Sequence, residues 1–147
     1  MRRTRTLFAS LALAVACAPL GVAQAQTATS CAALLRQAQD AQQVGDHARA
    51  VELARRVAAG RPSGTLHGFM AVQYYSLQRL PEALREGLAC VRDLPSQQPR
   101  PRNWSWYHAQ CPALVRELQG AGVTPAPEVT PEAPAGPRLS RGACSSW

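Results

Sequence analysis

The side chains of this 147-residue chain best able to do chemistry are five cysteines, three histidines and one aromatic cluster. Cys17, Cys31, Cys90, Cys111 and Cys144 include no C-x-x-C pair, so neither dithiol redox chemistry nor haem attachment is expected. His47, His67 and His108 fall in three separate segments, with no i, i+4 pairing and no nearby carboxylate pattern, which argues against a metal site. There is no Gly-rich phosphate loop. The run Gly60-Arg61-Pro62-Ser63-Gly64 carries its serine one place off the nucleophile-elbow spacing, and Ser63 reads better as a helix cap. A non-enzymatic chain without cofactor or metal is therefore expected. Trp104, Trp106 and Tyr107, flanked by Arg100 and Arg102, are a mixture that can form a binding hot spot. The competing reading has Trp104 and Tyr107 cover the open end of a helical body and leaves Trp106 exposed.

The elements that must position these groups read as helices. Ser30 caps a first helix over Cys31 to Val44, and Gly45 suits the left-handed turn that ends it. Asp46 caps a second, which runs to Ala59 and stops at Gly60 and Pro62. Ser63 or Thr65 opens a third through Leu80, and Pro81 sits in the first turn of a fourth that ends near Leu94-Pro95. Residues 97–102 read as an extended connector, because each residue before a proline is pushed away from helical geometry. Asn103 caps a fifth helix with an apolar face of Trp104, Tyr107, Cys111, Leu114 and Leu118, which Pro112 should kink or divide. The fold class is all-α, of about five helices.

Both ends differ from this middle. Residues 1–25 have an Arg-rich start, an apolar run from Leu7 to Ala16 and a small-residue end, the layout of a signal peptide cleaved after Ala25. The mature chain then divides into a polar lead-in (26–30), a helical domain (31–120), a Pro-rich linker (121–137) and a segment with Cys144 (138–147). Periplasmic or secreted location follows. Ala14-Val15-Ala16-Cys17 also loosely resembles a lipobox, which makes a membrane-anchored lipoprotein tethered through Cys17 the alternative. An oxidising compartment and four remaining cysteines predict two disulfides, with three connectivities open.

All sixteen basic residues are Arg, and Lys and Ile are missing, the mark of a GC-rich bacterial genome. The net charge of +7 includes Arg2, Arg3 and Arg5 of the leader; without them 13 Arg face 9 acids. These charges are scattered rather than gathered on one face, so no nucleic-acid partner is expected.

The helical middle repeats itself at an offset of 33 residues: Ala38 meets Ala71, Ala50 meets Ala83, Val51 meets Leu84, Ala54 meets Gly87, Val57 meets Cys90, and Pro62-Ser63 meets Pro95-Ser96. With small residues and a closing proline at fixed places, this pattern resembles the tetratricopeptide repeat. Gly45 matches the family's turn glycine, which Gln78 replaces in the second copy. Ala41 and Tyr74 occupy its packing position, and His67 stands where a large apolar residue is common. The resemblance covers Cys31 to Ser96, with Asn103 to Gln119 as a closing helix.

The resemblance implies two hairpins side by side, with Cys90 on the fourth-helix face that meets Cys111. It thus favours a Cys90–Cys111 disulfide and leaves Cys31–Cys144 to pin the tail. It implies a groove for a protein or peptide lined by the first helix of each repeat, here Leu35, Gln39, Gln42 and Gln43, then Val72, Tyr75 and Ser76. Leu35 and Gln39 stand where other members grip a C-terminal carboxylate with Lys and Asn, so no carboxylate clamp is expected. The function implied is an envelope adaptor or scaffold. A lipid-anchored assembly or pilot factor is the alternative, and a small secreted enzyme the third class.

Overall fold

A computed structural model describes residues 30–128 as five α-helices and one 3-10 turn, with no strand among those residues. The expected signal peptide, the lipobox Cys17 and the Cys144 segment lie outside the described residues. The helices are α1 (Cys31–Gln43), α2 (His47–Gly60), α3 (Gly64–Ser76), α4 (Leu80–Asp93) and α5 (Trp104–Gly120), with the 3-10 turn at Leu94–Ser96 after α4. Each helix packs on its neighbour in the chain, and α3 also meets α5. The result is an all-helical, repeat-like stack.

Local chemistry sets the helix starts. The side chains of Ser30, Asp46 and Ser63 accept from the backbone N–H groups of Ala33, Arg49 and Leu66 at 3.2, 3.0 and 3.3 Å. Each satisfies a donor that the first helical turn leaves without a partner. Thr65 does not cap but bonds to a distant side chain. Its N–H donates to Gln97 Oε1, and its hydroxyl accepts from Gln97 Nε2, both at 3.0 Å. Gln97 thereby ties the connector after α4 back to the start of α3. Asn103 departs from expectation, since it stands at the N-cap of α5 without a side-chain cap bond.

The helix ends repeat more faithfully than the sequence does. After α1, Gly45 N–H donates to Gln42 C=O and Asp46 N–H to Ala41 C=O. After α3, Gln78 and Arg79 make the same pair of bonds to Tyr75 and Tyr74; after α5, Gly122 and Val123 make them to Gln119 and Leu118. This is the Schellman arrangement, which needs one left-handed residue. Gly45 (φ +78°) and Gly122 (φ +75°) supply it without cost, and Gln78 supplies it at φ +58°. The third helix consequently stops at Ser76, not Leu80. A second correction concerns Pro112, which lies inside α5 without dividing it. The carbonyl that Pro112 leaves without its helical donor belongs to His108, an exposed residue that solvent can reach.

Within the helices, the aligned positions of the 33-residue repeat face inward. Ala38, Ala71, Ala50, Ala83 and Ala54 are fully buried, as are Leu84 and Cys90, with Gly87 beside them. Small residues let the backbones come close, and the larger side chains Leu34, Leu53, Leu84 and Leu94 fill the space between. Helix α3 is the central element: it is buried on nearly all sides, from Leu66 through Phe69, Met70 and Tyr74.

Residues 123–128 begin the tether expected after α5, without regular structure. They lie along α4: Ala126 N–H donates to Pro81 C=O at 2.9 Å, and Arg85 Nη1 donates to Pro127 C=O at 3.2 Å.

Candidate functional site

The candidate site is the groove between α3 and α5, and glycine creates it. A Cβ on Gly68 would stand 2.6 Å from Tyr107 Cδ1 and 3.0 Å from Cys111 Sγ, and one on Gly64 would stand 2.4 Å from the Leu94 backbone. Without those atoms the N-terminal end of α3 closes on the 3-10 turn at Gly64 and on α5 at Gly68, where Tyr107 packs over it. At the other end the Tyr75 hydroxyl donates to Glu117 Oε1 at 2.6 Å. Gly68 faces Tyr107 while Tyr75 faces Glu117, so the two helices run in the same direction. Between these contacts a half-open cavity of about 280 Å³ is lined by Val72 and Tyr75 from α3 and by Trp106, Gln110, Ala113 and Leu114 from α5.

Helix α5 is locked in place independently. Cys90 and Cys111 form a disulfide (S–S 2.05 Å) that joins α4 to α5, and Val115 packs on Gly87 one turn further along. Cys31 is also disulfide-bonded, and its expected partner Cys144 lies outside the described residues.

The aromatic cluster divides between support and surface. Trp104 donates its Nε1–H to Leu94 C=O at 2.9 Å, stacks on His108 at 4.6 Å, and carries the Arg100 guanidinium 4.3 Å above its ring. Tyr107 is buried against Gly68, and burial pushes its phenol up to about 12. Trp106 meets the Tyr107 ring edge-on at 4.8 Å and is 49% exposed, standing on the groove wall.

Of the residues expected in a groove, Val72 and Tyr75 line this one, together with Trp106 and Tyr107. Ser76 is exposed beside it and spends its hydroxyl on Val72 C=O at 3.1 Å. Gln39, Gln42 and Gln43 are exposed on α1, outside the cavity, and Leu35 packs partly against the core. Sequence reasoning misses Gln110, Ala113 and Glu117, because it treats α5 only as a closing helix. The signal is present: Trp106, Gln110, Ala113 and Glu117 recur at i, i+4, i+7 and i+11, one continuous face of a helix.

Electrostatically the groove holds one charged side chain among the described residues. Glu117 is exposed and, among those residues, has no salt-bridge partner. Its hydrogen bond, followed by its charge, raises the Tyr75 phenol above the usual value, so that hydroxyl remains a donor.

A second cluster corrects the reading of the histidines. His67 does meet carboxylates: its Nδ1 lies 2.7 Å from Glu86 Oε2 and its Nε2 3.7 Å from Asp93 Oδ2, between α3 and α4. Arg85 bonds the other Glu86 oxygen at 2.8 Å. Burial alone would raise the Glu86 carboxyl, but the hydrogen bonds from His67 and Arg85 outweigh it and hold it below the usual range. His47 bonds the buried Gln73 side chain at 2.7 Å, which leaves the Gln73 Nε2 without a partner. Among the described residues no group of three or more His, Cys, Asp or Glu side chains is arranged to hold a metal, and no helix is long and apolar enough to cross a membrane.

No protein-family model, curated protein or solved structure matches the chain. Its class is therefore defined by its own geometry, an all-helical repeat-like stack.

Proposed function

We propose that this chain is a non-enzymatic interaction module of the bacterial cell envelope, built like a tetratricopeptide repeat, that holds a protein or peptide partner between α3 and α5. One observation supports this most: two parallel helices, one of them tied to α4 by a disulfide, leave an open groove with Trp106 half-exposed on its wall. Rigid walls reduce the ordering cost of binding, and a Trp beside apolar and amide groups is the composition of a binding hot spot. The histidine and carboxylates that come together, His67 with Glu86 and Asp93, serve the α3–α4 junction and not the groove. The signal peptide read in residues 1–25 supports export.

Photo-crosslinking in the cell tests the reading. A photoreactive residue at Ala113 is expected to capture one discrete protein, while the same group at Glu52 on α2 captures none. Equal capture at both positions, or capture at Glu52 alone, contradicts a groove-bound partner.

A further inference from the structure

We infer that the groove takes an extended segment carrying a large apolar side chain and, about four to five residues away, an Arg or Lys. This rests on the protein-binding reading above and specifies its partner. The two ends of the groove differ chemically. At one end Trp106 and Tyr107 present aromatic surface over Gly68; at the other, Tyr75 and Glu117 present a hydroxyl and a carboxylate. Trp106 and Glu117 are eleven residues apart on one continuous helix, about 16 Å at a rise of about 1.5 Å per residue. An extended chain covers that distance in roughly five residues.

Charge decides the polarity of the partner. Among the described residues Glu117 is the one ionised group lining the groove, and the Tyr75 hydroxyl fixes one of its oxygens, leaving the other for a donor from outside. Five arginines elsewhere are already engaged: Arg49, Arg79, Arg85 and Arg92 pair with carboxylates, and Arg100 lies over Trp104. None of them lines the groove, and among the described residues no arginine stands on its walls. An acidic segment would face a bare carboxylate; a cation would complete it and lie against the Tyr75 ring.

The test uses the purified chain with its disulfides formed and a positional-scanning library of short peptides blocked at both ends, read by fluorescence polarisation. Peptides pairing an aromatic or large aliphatic residue with Arg or Lys at the stated spacing are expected to bind best. Glu117→Gln should weaken them about two- to fivefold, the range of an exposed ion pair, and weaken an aromatic-only peptide less. Glu117→Arg should shift the preference to acidic peptides. Binding that ignores basic residues, or is unchanged in Glu117→Gln, overturns this inference and leaves the groove reading intact. Binding that survives Val72→Arg, which blocks the groove, overturns the groove reading itself. Dimers that dissociate on Glu117→Gln would put a second copy there, and binding gained only when Arg138 and Arg141 are changed to Ser would put the chain's own tail there; either overturns a separate partner.

Discussion

His67 and Glu86 are nineteen residues apart, and nothing in their spacing predicts that they touch. The pair exists only because α3 lies antiparallel on α4 in one register, which brings the His67 ring against the Glu86 carboxylate. The resulting carboxylate is held below its ordinary value of 4.5. Its contribution to stability is complete above the range where the unfolded carboxyl titrates and is lost as pH falls through the lower folded value. The unfolding free energy is therefore expected to drop as pH decreases below about 4.5, and Glu86→Gln should flatten that slope. Urea titrations across the acidic range measure it; an unchanged slope in the variant would assign acid sensitivity elsewhere. Cys90 and Cys111 are legible by contrast, because apolar spacing along each helix fixes the face that carries each one.

At the scale of elements, spacing and capping residues locate all five helices, and side chains set three of their starts. The departures fall where the backbone does something its residue types disfavour. Gln78 takes a left-handed turn conformation that only its bonding pattern reveals, so the sequence reads on helically to Leu80. Pro112 stays inside α5 because its freed carbonyl lies at an exposed residue. The approach of α3 to α5 is also invisible in the sequence, since a glycine in a helix announces nothing about its neighbour. That approach predicts that Gly68→Ala, although it favours helix formation locally, destabilises the fold by about 1–3 kcal/mol as Tyr107 and Cys111 are forced outward. Gly120→Ala meets no atom within 4 Å and should be neutral or stabilising. Thermal melts of the two variants distinguish local propensity from packing, and equal melting temperatures would refute the close approach.

For the whole molecule, the physical difficulty is size. Two hairpins and a closing helix bury few large side chains, and short repeat stacks are marginal on their own. The chain answers by linking α5 to α4 covalently across a separation of 21 residues. Replacing both Cys90 and Cys111 by Ala should cost about 3 kcal/mol, with α5 and the groove it walls the first to loosen. Hydrogen exchange would show this as faster exchange in Trp104–Gly120 than in α1 and α2; uniform acceleration would contradict it. The same covalent link holds the α5 wall of the groove against α4, which is the basis of the functional reading.

That reading is tested most directly by mapping backbone amide chemical shifts of the chain with and without a bound apolar–basic peptide. Perturbations confined to residues 68–76 of α3 and 106–117 of α5 are the predicted result. Perturbations on the outward faces of α2 and α4, with those two segments unmoved, would contradict it.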